Sequence, residues 1–228
     1  MTAMYRIFGY LKKFPHGKIV IDTSQPAIRE KVIVSKDQDW VEFYPDAEES
    51  TPTERPEPKG GLCTLTCYVD ADHARDKLTR RSVTGILVLL NNTPISWVSK
   101  CQKTVESSTY GSELVASRIA VELIISLRYF VTMLGSKQEP SSLMLGDNMA
   151  VVLNTTIPSS SLKKKHQACN YHKVRESIAA GFIEFAHISS DQNLADILTK
   201  PLANPSFDRI TSECLFRNSK ASSGEKQA

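Results

Sequence analysis

The fold is organised around the stretch Leu65-Thr66-Cys67-Tyr68-Val69-Asp70-Ala71-Asp72. Apolar, aromatic and β-branched residues dominate residues 64–69, which predicts a buried central strand. Two acids, Asp70 and Asp72, end that strand. Because burying ionised carboxylates is costly without a cation, either this strand end opens to water or a cation lies there. An ordinary acidic turn is the alternative, and three further acidic positions downstream argue against it.

Length and composition indicate one ordinary domain with flanking segments. The chain has 228 residues, 41% of them hydrophobic and 23% charged, as in a soluble globular protein. The net charge of +3 means that any nucleic-acid surface must be local. No apolar run reaches the roughly 18 residues of a membrane helix, and no secretory signal is visible. The five cysteines include no Cys-x-x-Cys pair, which favours a reducing compartment over a zinc ribbon or disulfide framework.

The N-terminal quarter is predicted to lie outside the organised domain. Residues 4–14 predict an amphipathic helix that is marginal alone, so we expect residues 1–24 to be the end of a larger unit. Residues 25–60 are predicted to be a linker, because the four prolines and many acids of residues 45–60 disfavour a core. The aromatic residues just before that stretch are interpreted as packing side chains.

The domain itself is placed at residues 61–202, in the order strand, strand, strand, helix, strand, helix, helix, strand, helix. The first three strands are expected to form an antiparallel meander. Hydrophobic periodicity predicts a long helix over residues 110–134, ended by Gly135. The later elements are predicted over residues 142–145, 149–153, 159–180, 182–188 and 189–200. Residues 203–228 are expected to be a C-terminal helix and a disordered tail.

Four acids fall at the ends or beginnings of these elements: Asp70, Glu113, Asp147 and Asp196. Ordinary explanations exist for single members, since Glu113 complements a helix dipole and Asp147 could be an N-cap. In this element order, however, the first and fourth strands can be neighbours, which places Asp70 beside Asp147. The long helix then brings in Glu113. Such a set suits two divalent cations about 4 Å apart that clamp a scissile phosphate, with magnesium or manganese favoured by the oxygen ligands.

The most basic stretch lies in the helix predicted over residues 159–180. Its basic residues are Lys163, Lys164, Lys165, His166, His172, Lys173 and Arg175. Such a run is either a solvated charged face or a contact surface for phosphate backbones. A zinc site that includes Cys169 matches no common spacing and lacks partner cysteines.

Together these motifs resemble the ribonuclease H domain of copia-type LTR-retrotransposon polyproteins. The resemblance spans roughly residues 4–202, and residues 4–13 are similar to the end of the reverse transcriptase region of that family. In chain order the motifs are Tyr68-Val69-Asp70-Ala71-Asp72, Arg80-Arg81-Ser82-Val83-Thr84-Gly85, Ile95-Ser96-Trp97-Val98-Ser99-Lys100 with Gln102, Ser107-Ser108-Thr109, Ser112-Glu113-Leu114-Val115-Ala116, Asp147-Asn148, Lys165-His166, Tyr171-His172, Val174-Arg175-Glu176 and Ala195-Asp196-Ile197-Leu198-Thr199-Lys200-Pro201-Leu202.

The resemblance implies an α/β, ribonuclease H-like fold with a five-stranded mixed sheet, three antiparallel strands followed by two parallel ones, and flanking helices. It implies that Asp70, Glu113, Asp147 and Asp196 bind two Mg²⁺ or Mn²⁺ ions and cleave the RNA strand of RNA–DNA hybrids. The implied partners are the hybrid and the rest of the reverse transcriptase polyprotein, without a membrane. The predicted nucleic-acid contacts are Gln102, Asn148, Lys163, Lys164, Lys165, His166, His172 and Arg175.

Two departures from the family pattern leave alternatives open. The long helix begins with Tyr110-Gly111-Ser112-Glu113, one residue longer than the usual Glu-Ala-Glu run, so Glu106 is a second choice for the helix ligand. No Tyr-x-Asp-Asp motif of a polymerase is present, which indicates a polyprotein fragment or a decayed copy. The alternatives are a catalytically silent relic that binds nucleic acid, or an integrase or transposase with an acidic triad. We expect an intracellular location, either in the nucleus or in a cytoplasmic virus-like particle.

Overall fold

The computed structural model describes residues 2–32 and 39–216, so the predicted tail over residues 217–228 lies outside the described residues. The α-helices in these ranges are α1 (Thr2–Lys13), α2 (Thr109–Met133), α3 (Met149–Thr156), α4 (Ala168–Ala179), α5 (Asp196–Thr199) and α6 (Asn204–Cys214). The strands there are β1 (Lys18–Ile19), β2 (Lys59–Cys63), β3 (Leu65–Asp72), β4 (Val83–Leu90), β5 (Thr93–Cys101), β6 (Ser136–Gln138), β7 (Ser142–Gly146), β8 (Ile183–His187) and β9 (Leu215–Phe216).

The central sheet has five strands in the order β5-β4-β3-β7-β8. The first three strands pair antiparallel, β7 lies parallel to β3, and β8 lies parallel to β7. The short turn between β4 and β5 contains Asn91 at a φ of 54°, a left-handed conformation that asparagine tolerates well. The predicted α/β fold with three antiparallel and two parallel strands is therefore confirmed.

The two faces of the sheet carry separate hydrophobic clusters. Side chains alternate along β3, so Cys67 and Val69 pack with the cluster formed by α2, α3 and α4. Tyr68 packs in the opposite cluster, with Leu194 and with Ile210 of α6. Asp70 continues the register of Tyr68 and therefore lies on the face that α5 covers.

The long helix α2 crosses one face of the sheet and begins at a conventional N-cap. Ser108 is the N-cap residue, and its side chain accepts a hydrogen bond from the Gly111 backbone N–H at 3.3 Å. Gly135 follows the last turn with a φ of 72°, as expected for a residue that ends a helix in the left-handed conformation. The structure places this helix within one residue of its predicted ends.

Two predicted helices are shorter than expected, and in both cases a buried side chain binds backbone groups beside the irregular segment. Residues 159–164 are irregular: the Arg175 guanidinium binds the carbonyl oxygens of Ile157 and Pro158 just before them. A 3-10 turn over Lys165–Gln167 then leads into α4. Over residues 189–200, the buried Asn193 donates to the Val69 carbonyl oxygen and accepts from the Ala195 N–H, which separates α5 from the preceding turn.

Segments upstream of β3 contact both the C-terminal segment and the domain. Strand β1 pairs with β9, and the Tyr10 ring meets the edge of the Phe207 ring with centroids 5.5 Å apart. Within the segment predicted to be a linker, Arg29 pairs with Glu184 at 3.0 Å. In the described part of the chain, no helix combines the length and apolarity that crossing a membrane requires.

Candidate active site

Asp70 and Asp147 lie side by side because of the register between β3 and β7. Val69 is paired with Gly146 in this parallel pair, so the residue that follows each of them, Asp70 within β3 and Asp147 just after β7, is an aspartate. Asn148, and not Asp147, is the N-cap of α3, and its side chain accepts the Val151 N–H at 3.3 Å. The Asp147 carboxylate is therefore not used in capping and remains available at the sheet edge.

Glu113 completes a cluster with the two aspartates. One carboxylate oxygen from each of Asp70, Glu113 and Asp147 lies within 4.8 Å of the others. Glu113 reaches this point from the second turn of α2, which packs across β3. Three acids that are far apart in the sequence thus meet at one sheet edge, as predicted.

Glu106, the second choice for the helix ligand, lies elsewhere. Its carboxylate accepts hydrogen bonds from the Gln167 amide and the Thr104 hydroxyl, and the His166 ring nitrogen is 3.6 Å away. Glu106 therefore joins the loop before α2 to the turn before α4. The structure does not bring Glu106, the second choice, into the acidic cluster, and the geometry favours Glu113.

Asp196 stands beside the cluster and is joined to it through a lysine. The Lys200 ammonium is 2.8 Å from Asp196 Oδ1 and 3.8 Å from Asp70 Oδ2. Among the described residues, the group whose oxygens lie within 4.8 Å of one another contains three acids and not Asp196. The structure thus brings three predicted acids into direct proximity and connects the fourth through a cation.

Sequence reasoning missed the residues that position Asp70. The Thr199 hydroxyl donates a hydrogen bond to Asp70 Oδ2, and Lys200 pairs with the same carboxylate. Gly85 faces Asp70 across β3 and β4, and a Cβ atom there would lie 2.5 Å from Thr199 Cγ2 and 2.9 Å from the Ala195 carbonyl oxygen. Only glycine lets α5 approach the sheet so closely. Gly85 and the segment 195–202 both belong to the motifs shared with copia-type polyproteins. Their place in those motifs was the sequence signal that could have identified them.

The acids of the site are electrostatically strained. Burial raises the pKa of Asp70 to about 6, although the Thr199 hydrogen bond and the charge of Lys200 oppose the shift. Burial, followed by the negative charges of Asp70 and Asp147, raises the pKa of Glu113 well above its ordinary value. Burial also raises the pKa of Asp196, against the stabilising pair with Lys200. A bound cation would relieve all three shifts.

Several residues predicted to contact nucleic acid lie at the surface. Lys163, Lys165, His166 and His172 are exposed, and Asn148 is half-exposed beside Asp147. Lys164 donates to the Ser108 hydroxyl at 2.6 Å, at the end of α2 where Glu113 also lies. The basic loop therefore flanks the same helix end as the acidic cluster.

Two of the predicted nucleic-acid contacts are wrong. Arg175 is only 2% exposed, and its guanidinium donates to the carbonyl oxygens of Asn154, Ile157 and Pro158 at 3.1, 2.8 and 2.6 Å. Gln102 is 3% exposed, and its amide nitrogen donates to the Thr84 hydroxyl and the Ser112 carbonyl oxygen. Both side chains stabilise the fold, because the Arg175 guanidinium and the Gln102 amide nitrogen donate to groups inside it.

A cleft of about 360 Å³ opens between β5 and α2. Its rim includes the exposed Lys100 and Lys103, and Arg118 from α2. Arg118 is paired with Glu122 at 2.5 Å. The positive charges on this rim were not among the predicted contacts, because they are separated along the sequence and form no basic run.

Comparison with known proteins gives the wider context of this site. Two retrovirus-related Pol polyproteins from the Arabidopsis thaliana transposons RE1 and RE2 are each 35% identical to the chain, over 158 and 156 residues. The chain is homologous to part of retrotransposon Pol polyproteins. The aligned regions cover 68% and 67% of this chain, but only 11% and 10% of those relatives. The predicted kinship with a retrotransposon polyprotein is thereby confirmed.

The remaining comparisons concern family models and solved structures. No protein-family model matches the chain. The N-terminal ribonuclease H domain of a Mycobacterium tuberculosis protein, solved as a fusion with maltose-binding protein, aligns with a TM-score of 0.47 at 12% identity. That alignment covers 65% of this chain and 96% of the other. The fold assignment for the Pol-related chain rests on its own strand order.

Proposed function

We propose that the chain is a ribonuclease H-type nuclease that cleaves the RNA strand of RNA–DNA hybrids as part of a retrotransposon reverse transcriptase. The observation that carries this proposal is the cluster of Asp70, Glu113 and Asp147, whose carboxylate oxygens lie within 4.8 Å of one another. Buried carboxylates so close together are costly unless they bind a cation. Perturbed acids at an open edge of a sheet are the usual mark of a functional site.

The donor set fits a hard divalent cation. All three ligand side chains offer carboxylate oxygens, which suit magnesium or manganese better than softer metals. Asp70, Glu113 and Asp147 would hold one ion, and Asp70 with Asp196 would hold a second. When bound, such ions stabilise the charge of a phosphodiester in the transition state and make water a better nucleophile at neutral pH.

The surrounding residues of the chain would hold the acids in place. The Thr199 hydroxyl fixes one oxygen of Asp70, which leaves the other free to turn towards the cluster. Asn193 ties the segment that carries Asp196 to the β3 backbone through the Val69 carbonyl, at 2.9 Å. Because these contacts are made by buried groups, the acids are held ready before a substrate arrives.

The basic groups near the site would bind the hybrid through its phosphates. The exposed Lys163 and Lys165 flank the end of α2 that carries Glu113, and the cleft beside β5 adds Lys100 and Lys103. Phosphate contacts fix position without reading sequence. Asn148 is placed beside Asp147, where a side-chain amide could contact a 2′-hydroxyl and so distinguish RNA from DNA.

A cleavage assay on four substrates tests the proposal. The whole chain is incubated with end-labelled RNA–DNA hybrid, single-stranded RNA, duplex RNA and duplex DNA, with magnesium, manganese or EDTA. We expect internal cuts in the RNA strand of the hybrid alone, only when metal is present, with 3′-hydroxyl ends. Hybrid binding without any cleavage by folded protein would support the silent relic instead. Joining of duplex DNA ends would support an integrase or transposase.

A further inference from the structure

We propose that Lys200 is a tethered cation that holds the place of the second metal ion, so that this ion binds only when the lysine side chain leaves. The inference rests on the proposed metal-dependent function. Its basis is the position of the Lys200 ammonium, 2.8 Å from Asp196 Oδ1 and 3.8 Å from Asp70 Oδ2. A divalent ion that bridges Asp70 and Asp196 would need the same space.

The helix α5 directs Lys200 to this point. The Lys200 backbone N–H bonds to the Asp196 carbonyl oxygen at 3.2 Å, which fixes the start of the Lys200 side chain at the C-terminal end of the helix that carries Asp196. The Lys200 backbone is extended, with φ −138° and ψ 151°, and Pro201 follows. The lysine is therefore fixed at its backbone while its ammonium group reaches back to the acids.

The two cation positions differ in what they require. The first lies among Asp70, Glu113 and Asp147, and an ion can bind there with Lys200 in place. The second needs Asp70 and Asp196, and both already face the ammonium. Because like charges repel at such distances, a second ion and the lysine cannot share the position. We therefore infer that the metals bind in sequence, the second more weakly than the first.

The Lys200 side chain is exposed enough to move away from the acids. Its side chain is 36% exposed, whereas the Asp70 side chain is 4% exposed, so the ammonium can rotate into water without any unfolding. In the described part of the chain, the ion-pair partners of Lys200 are acids of the proposed site. A structural ion pair would instead resemble that of Arg128, which is 7% exposed and also binds the carbonyl oxygens of Glu139 and Pro140.

Metal titrations of the whole chain test this inference without relying on activity. Manganese binding is followed by calorimetry and by electron paramagnetic resonance, where two neighbouring ions give a coupled spectrum. The variants are Lys200→Met, which removes the charge at similar length, and Lys200→Arg, which keeps it. Lys173→Met is the matched control, since Lys173 likewise pairs with an acid a few residues away, Glu176, at 3.9 Å.

In the wild type we expect a tight binding event and a weaker second one. Lys200→Met should tighten the second event by roughly tenfold, a typical coupling between two sites, while the first changes by less than about threefold. The coupled spectrum should then appear at lower manganese concentration. Lys200→Arg and Lys173→Met should titrate like the wild type. Lys200→Gln serves as a second neutral variant should the methionine variant not fold.

The outcomes separate this inference from the function on which it rests. If both neutral variants leave the second event unchanged, or weaken both events equally, Lys200 is a structural partner of Asp196 and the inference is overturned. If wild type and variants are folded but bind no manganese, the proposed metal-dependent function fails first. Thermal melting in EDTA and in manganese supplies a separate readout. Manganese should raise the melting temperature of Lys200→Met by more than it raises that of the wild type.

Discussion

Asp70 and Arg175 are both buried ionic side chains, but their surroundings are opposite. Arg175 donates to three backbone carbonyls and to the Ser160 hydroxyl at 2.7 Å, and its guanidinium lies 4.8 Å from the ring centroid of Trp40. Asp70 has one hydroxyl donor and one distant ammonium, and it faces further carboxylates. One buried charge is fully compensated by the chain, and the other is not.

The difference separates a region that stabilises the fold from the region where we propose the chemistry. The contacts of Arg175 join helix α4 to the end of α3, to the loop after α3 and to the aromatic residues upstream of the domain. The clustered acids instead raise the energy of the folded protein when no cation is bound. Buried charge that the chain leaves uncompensated is therefore the better guide to function, and removing charge from each region should have opposite effects.

The largest expected effect is the loss of cleavage in Asp147→Asn. Asparagine keeps the shape but lacks the charge that holds a divalent cation, so we expect hybrid cleavage to fall at least about a hundredfold. The unfolding free energy should change little in the absence of metal. Cleavage rates and urea denaturation are measured on the same preparation. The control is Asp191→Asn, which changes an exposed acid of the neighbouring turn and should leave both quantities unaltered.

The opposite result is expected for Arg175→Met. It removes the charge and the guanidinium donors to three carbonyl oxygens; those of Asn154 and Ile157 keep a donor from Ser160, but that of Pro158 loses its donor. The unfolding free energy should fall by about 3–5 kcal/mol. Arg209→Met is the matched control, because Arg209 forms an exposed pair with Glu213 at 3.8 Å, and such pairs contribute about 1 kcal/mol or less. Equal losses in the two variants would show that the Arg175 contacts add no more to stability than an exposed ion pair does.

The stability of the metal-free protein should fall as pH rises. The pKa of Asp70 is raised to about 6 from its ordinary value of 3.8, so the folded protein holds this proton more tightly than the unfolded chain does. The resulting stabilisation is complete below pH about 4 and disappears as the pH passes about 6. Glu113 and Asp196 shift in the same direction.

We expect the contribution of Asp70 to be on the order of 3 kcal/mol between those limits. Urea denaturation in EDTA at several pH values measures it, with Asp70→Asn as the reference that lacks the group. Millimolar magnesium should remove the decrease in stability with rising pH, since we expect it to bind the ionised acids. A wild-type curve that runs parallel to that of Asp70→Asn would contradict the raised pKa.

The smallest effect is expected for Glu113→Gln in the absence of metal. Because burial and two negative neighbours raise the pKa of Glu113, its neutral amide analogue should increase the unfolding free energy by about 1 kcal/mol near neutral pH. With magnesium the order should reverse, as the wild type gains binding energy that the variant cannot. Denaturation midpoints of the wild type and of Glu113→Gln, measured with and without magnesium, test this prediction. A variant less stable than the wild type in EDTA would mean that Glu113 has compensating partners.

Much of the site was predictable because it lies on regular elements. Asp70, Asp147 and Glu113 each fall at the end of a strand or the beginning of a helix, and periodicity locates such positions well. The choice between Glu113 and Glu106 could also be made from the apolar face that continues after Glu113. The two shortened helices and the buried Arg175 were not predictable in this way. They depend on side chains that bind backbone groups far away in the sequence, as Arg175 binds Pro158 and Asn193 binds Val69. Hydrophobic periodicity is a local pattern and does not predict such contacts.

By itself, the sequence determined the buried central strand around residues 65–72, the long helix α2 and the order of four acids along the chain, because apolar runs and helix periods are local properties. Tertiary structure alone decided that three of those acids share a space within 4.8 Å and that Lys200 stands between the fourth and Asp70. Tertiary structure also placed the Arg175 side chain in the interior. Burial and charge pairing depend on which segments meet, and that is settled only when the sheet and its helices pack.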